Sequence, residues 1–78
     1  MQSHELKSLL QVAFPGARIH VASPDDVHFQ ATIVSESFAG KPTLARHRMV
    51  YAVLGERMGG EVHALSLRTT TPAEAEAN

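Results

Sequence analysis

Hydrophobic residues recur along the chain with two different periods, and the changes of period mark the predicted elements. Within residues 3–14 they follow the helical spacing i, i+3, i+4, i+7, at Leu6, Leu9, Leu10 and Ala13. This spacing predicts a first helix with one apolar face. Ser3 is the expected N-cap residue, and Pro15-Gly16 ends the helix because neither residue favours helical backbone.

Residues 17–22 and 28–35 alternate instead between apolar and polar side chains, which is typical of strands buried on one face. In the second strand His28 is the first residue, and Phe29 belongs to the apolar face. The segment between the strands, SPDD, consists of residues that favour turns. Two strands joined by so short a loop are expected to pair as an antiparallel hairpin.

Helical spacing returns after the loop ESFAGKP at residues 36–42, in which Gly40 has access to backbone conformations closed to other residues. The apolar positions of this second, longer helix are Leu44, Met49, Val50, Val53, Leu54 and Met58. Gly59-Gly60 ends it. Residues 61–69 alternate again and predict a third strand, with His63 at its beginning and, by parity, on the apolar face.

The element order is therefore αββα(α)βα, since the capping-box spacing of TPAE at residues 71–74 adds a short last helix. We expect residues 75–78 to fray. A helical crossover of about 20 residues usually returns the chain parallel to the strand it left. The predicted fold is α+β, a three-stranded mixed sheet covered by helices on one face. Parallel neighbouring strands would place His28 and His63 at the same end of the sheet, as a possible ligand pair.

Composition limits the chemistry open to the chain. Its 78 residues are enough for one domain, which we place at residues 1–78. Cysteine is absent, so internal disulfides and thiolate metal sites are excluded. Five histidines are then the natural candidates for metal chemistry: His4, His20, His28, His47 and His63. The sequence contains no nucleophile, Walker or dinucleotide motif, and we predict that it is not an enzyme.

The overall charge of −1 gives no general attraction to nucleic acid or to anionic membranes. No apolar run reaches the roughly 20 residues that span a bilayer. The first residues lack the basic and apolar regions of a signal peptide, so we expect a cytoplasmic protein without membrane contact.

A local cluster of cations contrasts with this overall balance. Lys41, Arg46 and Arg48 are three of the seven lysines and arginines, and His47 lies between the two arginines. Such runs are commonly solvated helix faces, but cations near a helix N-terminus oppose the helix dipole. The unfavourable placement favours a contact with an anionic partner, either DNA phosphates or an acidic protein. We expect these cations to face outward and, with Gly40, to form a candidate binding surface.

Three segments of the chain resemble the BolA family: HFQATIVSESFAGKP (28–42), ARHRMVYAVLGERM (45–58) and VHALSLRTTTPAE (62–74). The likeness extends over about residues 5–74. It implies a class II KH-like fold, in agreement with the element order above. The chain departs from the family at Ala75, where the family usually has tryptophan.

The resemblance also implies partners. BolA-like proteins pair with monothiol glutaredoxins, and the heterodimer holds a glutathione-ligated [2Fe–2S] cluster in iron–sulfur trafficking or iron homeostasis. By this resemblance His63, in the VHA motif, is one ligand, and His28 matches the histidine before the aromatic residue of strand 2. His20 is a rival second ligand, although strand parity places it among solvated residues. His4 lies in the first helical turn.

We expect no cluster tightly bound to the chain alone, which would then be a monomer or a weak homodimer. Some BolA-like proteins are described instead as DNA-binding transcriptional regulators, through a helix-turn-helix-like segment that corresponds here to FAGKPTLARHR. DNA is therefore the alternative partner.

Overall fold

The computed structural model describes residues 1–77. The helices and strands, in chain order, are α1 (Ser3–Ala13), β1 (Arg18–Ala22), β2 (His28–Val34), α2 (Thr43–Leu54), β3 (Ala64–Thr70) and α3 (Pro72–Glu76). Single turns of 3₁₀ helix at Glu36–Phe38 and Gly55–Arg57 flank α2. This order agrees with the predicted one. No helix within the described part of the chain is long and apolar enough to cross a bilayer.

The sheet has the strand order β1-β2-β3. β1 pairs antiparallel with β2, with Ile19 opposite Ile33. β2 pairs parallel with β3, with His28 opposite Ala64. The crossover through α2 therefore returns the chain in the direction predicted from its length, and the mixed three-stranded sheet is confirmed.

The core lies between one face of this sheet and the helices α1 and α2. Its buried residues are Leu6, Leu10, Phe14, Ile19, Phe29, Ala31, Ile33, Phe38, Val50, Leu54 and Val62. The burial of β2 alternates, with Phe29, Ala31 and Ile33 inside, as the period of two predicts. Burial of this apolar surface is the main favourable contribution to folding.

Two fully buried core residues lie in the connections between the α-helices and strands. Phe38 belongs to the 3₁₀ turn before α2, and its ring centre lies 5.4 Å from that of Phe14. The turn begins where the Ser35 hydroxyl accepts the backbone N–H of Ser37 at 3.1 Å. Val62 lies in the connection between α2 and β3. Each of these segments therefore contributes one fully buried side chain to the core, while the residues next to it in sequence are exposed.

Helix ends differ from the sequence prediction in three places. Gln2, not Ser3, is the N-cap of α1, and its backbone N–H donates to the Glu5 carboxylate at 2.9 Å. α2 ends at Leu54, where Gly55 adopts a φ of +53° that L side chains rarely take. α3 continues to Glu76, into the segment expected to fray, and residue 78 lies outside the described residues.

Two assignments to the apolar faces were also wrong. The side chain of Leu44 is 62% exposed, because the buried positions of α2 are residues 46, 50 and 54, at helical spacing from one another. β3 begins only at Ala64, so strand parity does not apply to His63, which is exposed instead of lying with Leu65 against the core.

The buried position of Phe38 predicts a large effect of truncation. Phe38→Ala leaves a cavity, and we expect the free energy of unfolding to fall by about 3–5 kcal/mol. The control Leu44→Ala removes an exposed side chain from a helix and should change this free energy by no more than about 0.5 kcal/mol. Urea denaturation followed by circular dichroism measures both values. Equal effects of the two substitutions would contradict the placement of Phe38.

Candidate metal centre

The parallel pairing of β2 and β3 brings His28 and His63 together at one end of the sheet. His28 begins β2, its register partner Ala64 begins β3, and His63 immediately precedes that partner. The two imidazole ring centres lie 5.2 Å apart, with the ring planes at 76°. Both side chains are exposed. The prediction that these histidines meet at the same end of the sheet is confirmed.

The backbone on either side of His63 is fixed by hydrogen bonds and by the core. The His63 N–H donates to the carbonyl of Val27 at 2.8 Å, which joins the segment before β3 to the segment before β2. Val62 is fully buried, and its N–H donates to the carbonyl of Arg57 at 2.9 Å. The chain therefore holds the residue before His63 inside the core and leaves the imidazole in solvent.

His28 is held by the loop between β1 and β2. The Asp25 carboxylate accepts the backbone N–H groups of Val27 and His28 at 3.1 and 2.8 Å through Oδ1. Its other oxygen, Oδ2, lies 2.6 Å from Nδ1 of the His28 ring. The hydroxyl of Ser23 accepts the N–H of Asp26 at 2.9 Å and donates to the carbonyl of His28 at 2.5 Å. One short loop thus binds both the backbone and the ring of His28.

These hydrogen bonds stabilise the ionised form of Asp25. The backbone N–H of His28, followed by its imidazole and by the N–H of Val27, lowers the pKa of Asp25 from its ordinary 3.8 to about 2. The carboxylate is therefore ionised at neutral pH and can only accept hydrogen bonds. The 2.6 Å contact of Oδ2 with Nδ1 favours the neutral tautomer of His28 that carries its proton on Nδ1 and leaves Nε2 unprotonated. Among residues 1–77, neither this Nε2 nor the ring of His63 has a hydrogen-bond partner.

The separation of the two imidazole rings can be compared with the bond lengths of a metal site. A metal–nitrogen bond of about 2.0–2.1 Å places the metal roughly 3 Å from the centre of a ligating imidazole. The 5.2 Å separation of the His28 and His63 rings is therefore compatible with ligation of a common metal. However, no three His, Asp or Glu side chains of the described residues are grouped to hold a metal ion. The two imidazoles alone would supply two ligands to such a site.

The rival histidines are not part of this pair. His20 lies on β1 opposite Thr32, four residues along β2 from His28, a distance of roughly 13 Å at the rise of a strand. It is exposed, as strand parity predicts. His4 is exposed on α1, where its Nε2 lies 2.7 Å from the side-chain oxygen of Gln2.

The predicted cationic surface is only partly present. Lys41 and Arg48 are exposed, Gly40 is exposed with a φ of +74°, and His47 is half-buried. Arg46 does not face outward as predicted, because it is only 8% exposed. Its spacing of four and eight residues from Val50 and Leu54 on the buried face is the signal that the sequence analysis missed.

Arg46 instead joins α2, β3 and α3. Its guanidinium donates to the carbonyls of Lys41 at 2.7 Å and Thr69 at 3.1 Å. It also donates to both carboxylate oxygens of Glu74, at 2.6 and 2.9 Å. Glu74 further accepts the N–H of Thr71 at 3.0 Å, within the predicted capping box of α3. The guanidinium lies 5.9 Å from the ring centre of Phe38, at the margin of the core.

The Arg46–Glu74 pair predicts a pH dependence of stability. Hydrogen bonds from Arg46, followed by that from Thr71, lower the pKa of Glu74 from its ordinary 4.5 to about 2. The ionised carboxylate therefore stabilises the fold above about pH 4.5, and this contribution is lost as the pH falls toward 2. We expect Glu74→Gln to have a lower urea midpoint than the unmodified chain at pH 7, with a difference that shrinks over this interval.

Glu76→Gln is the matched control for this measurement, since it removes the same charge from an exposed position of the same helix. Its midpoint should follow that of the unmodified chain at each pH. A Glu74→Gln midpoint that also follows the unmodified chain would contradict the assigned pair.

The chain is thus a small α+β domain with an exposed pair of imidazoles at one end of its sheet. A family model described as BolA-like protein matches residues 7–74, and the chain belongs to the BolA-like family. This membership confirms the predicted resemblance. The family consists of regulators and accessory proteins, in agreement with the prediction that the chain is not an enzyme.

Individual relatives agree with this membership. BolA-like protein 1 of Homo sapiens is 45% identical over 56 residues, which are 70% of this chain and 41% of that protein. DNA-binding transcriptional regulator BolA of Escherichia coli is 40% identical over 67 residues, which are 86% of this chain and 64% of that protein. The chain thus spans less than two thirds of either relative. The structure of a BolA homologue from Coxiella burnetii superposes with a TM-score of 0.84, at 38% identity and 97% coverage of both chains.

Proposed function

We propose that this protein binds a monothiol glutaredoxin and provides imidazole ligands to a [2Fe–2S] cluster that the two proteins share with glutathione. The observation that carries the proposal is the pair of exposed imidazoles, 5.2 Å apart, formed by His28 and His63. The protein would act in iron–sulfur trafficking or iron homeostasis, in the cytoplasm. The partner and the cluster are those implied by the likeness to the BolA family.

The side chains that this chain could offer as iron ligands support a cluster shared with a partner rather than one held by the chain alone. Iron–sulfur clusters are commonly held by four thiolates, and two histidines replace two of them in some [2Fe–2S] centres. This chain has no cysteine. Its own contribution would therefore stop at imidazole nitrogens, and thiolates would come from the glutaredoxin and from glutathione. When bound, such a cluster supplies one-electron chemistry, and histidine ligation raises its reduction potential.

The two histidines would serve this site in different ways. His63 follows a buried residue and has its backbone tied to Val27, so its ring projects from a fixed point into solvent. His28 begins a strand and is bound through Nδ1, so Nε2 is the nitrogen open to a ligand. Both rings must be neutral to donate an electron pair to iron.

The proposal predicts the effect of removing one ring. When the protein is titrated anaerobically into a [2Fe–2S]-loaded monothiol glutaredoxin, we expect a new visible circular dichroism spectrum of the mixed complex. His63→Ala should abolish this change, because one imidazole donor is lost. His20→Ala removes an exposed histidine about 13 Å along the sheet from His28 and serves as the control. A His63→Ala complex with the spectrum of the unmodified protein would contradict the ligand assignment.

A second candidate function is DNA binding through the exposed Gly40, Lys41 and Arg48. The observation in its favour is the exposure of two cations near the start of α2. Lys41 lies just before this helix, and Arg48 lies in its N-terminal half. The Escherichia coli relative is named a DNA-binding regulator. The guanidinium of Arg46 is engaged by Glu74 and cannot serve as a free phosphate ligand. Few phosphates would be neutralised, so affinity should be low and strongly dependent on salt.

Charge reversal tests this second function. Lys41→Glu combined with Arg48→Glu should reduce the slope of log affinity against log salt by about 2, since each phosphate contact contributes about 0.9. Electrophoretic shifts over a series of salt concentrations measure the slope. Lys7→Glu reverses an exposed charge on α1 and is the control. A slope shared by all variants would argue against this surface.

A further inference from the structure

We propose that Asp25 is a positioning residue of the candidate metal centre, which holds His28 in the tautomer that presents Nε2 to the metal. This inference rests on the proposed function, because it assigns a role to Asp25 within that same site. Asp25 was not singled out by the sequence pattern. It enters the site through the folding of the short loop between β1 and β2.

The geometry begins with one carboxylate that binds the same residue twice. Oδ1 of Asp25 accepts the backbone N–H of His28 at 2.8 Å, and Oδ2 lies 2.6 Å from Nδ1 of its ring. A rotation of the His28 side chain would break the second contact while the first keeps the carboxylate in place. The ring is therefore oriented relative to its own backbone, and so relative to the end of the sheet where His63 lies.

The loop in turn orients the carboxylate. Asp26 has a φ of +63°, a left-handed conformation that aspartate and asparagine adopt more readily than most residues. Ser23 accepts the N–H of Asp26 and donates to the carbonyl of His28, which ties the two ends of the loop together. Asp25 is thus held between fixed backbone positions on both sides.

A carboxylate behind a histidine ligand is a recurring arrangement in metal sites. The carboxylate accepts the N–H of one ring nitrogen, fixes the tautomer and makes the other nitrogen a better donor. In this chain His28 has such a partner, whereas the described residues offer none to the ring of His63. The two donors are therefore unequal, since a hydrogen bond orients the ring of His28 and none within the described residues orients the ring of His63.

The first test measures the tautomer in the full chain alone. At a pH of about 8, where histidine is ordinarily neutral, long-range ¹H–¹⁵N correlation spectra distinguish a protonated Nδ1 from a protonated Nε2. We expect His28 to carry its proton on Nδ1. In Asp25→Asn the amide group can donate to Nδ1, and the proton should move to Nε2. Asp26→Asn removes the same charge from the adjacent residue and suits the φ of +63°, so it should leave the tautomer unchanged.

The second test uses the complex with a [2Fe–2S]-loaded monothiol glutaredoxin. Loss of the group that accepts a hydrogen bond from a metal-ligating histidine typically reduces metal affinity about 10- to 100-fold. We expect Asp25→Asn to raise the concentration for half-saturation by this factor and to shift the reduction potential of the complex, whereas Asp26→Asn does neither.

Three results would overturn the inference. One is a proton on Nε2 of His28 in the unmodified chain, and another is Asp25→Asn behaving like Asp26→Asn in the mixed complex. In this second case an unmodified complex with its new spectrum would leave the proposed function standing. The third is an unmodified complex with no new spectrum, which would remove the proposed function and the role of Asp25 together.

Discussion

The parallel pairing of β2 with β3 is the constraint on which the candidate site depends. It places the first residues of the two strands, His28 and Ala64, side by side. His63, which precedes Ala64, therefore lies near His28 although 35 positions separate the two histidines in the numbering. The hydrogen bond from His63 to Val27 continues this pairing one step beyond the strands. A slip of the register would separate the rings, because each residue of a strand advances about 3.3 Å. The packing of β2 against the core opposes such a slip. A shift of β2 by one residue would turn Phe29 and the other buried residues of its face toward solvent.

A second constraint is the burial of a cation. Arg46 reaches three carbonyl or carboxylate partners and uses four of its hydrogen bonds on them. This satisfies a group that is costly to bury without partners. The contact with the carbonyl of Lys41 also fixes the loop before α2, which carries one of the exposed cations that the second candidate function would use. Arg46 therefore contributes to that surface by holding the loop rather than by contacting a ligand.

Sequence reasoning predicted the features that depend on periodicity. The two strand patterns, the antiparallel hairpin and the parallel return were sufficient to bring His28 and His63 to one end of the sheet. It missed Phe38, because this residue lies in a loop without a period, and it missed Val62, because strand parity assigned that residue to the face opposite the apolar one. It misplaced Arg46, because a charged residue on a buried stripe contradicts the usual assignment of charge to the surface. Asp25 required the conformation of a loop whose turn residues indicate only that a turn exists.

The proposed function requires that nitrogen atoms of this chain ligate iron. Pulse electron paramagnetic resonance of the reduced mixed complex detects the hyperfine coupling of ligand nitrogens. We would label the histidines of this chain alone with ¹⁵N and leave the glutaredoxin and glutathione unlabelled. If the imidazoles of this chain ligate iron, the nitrogen couplings will change from ¹⁴N to ¹⁵N values on labelling. A complex that forms and shows no nitrogen coupling from this chain would contradict the proposed function.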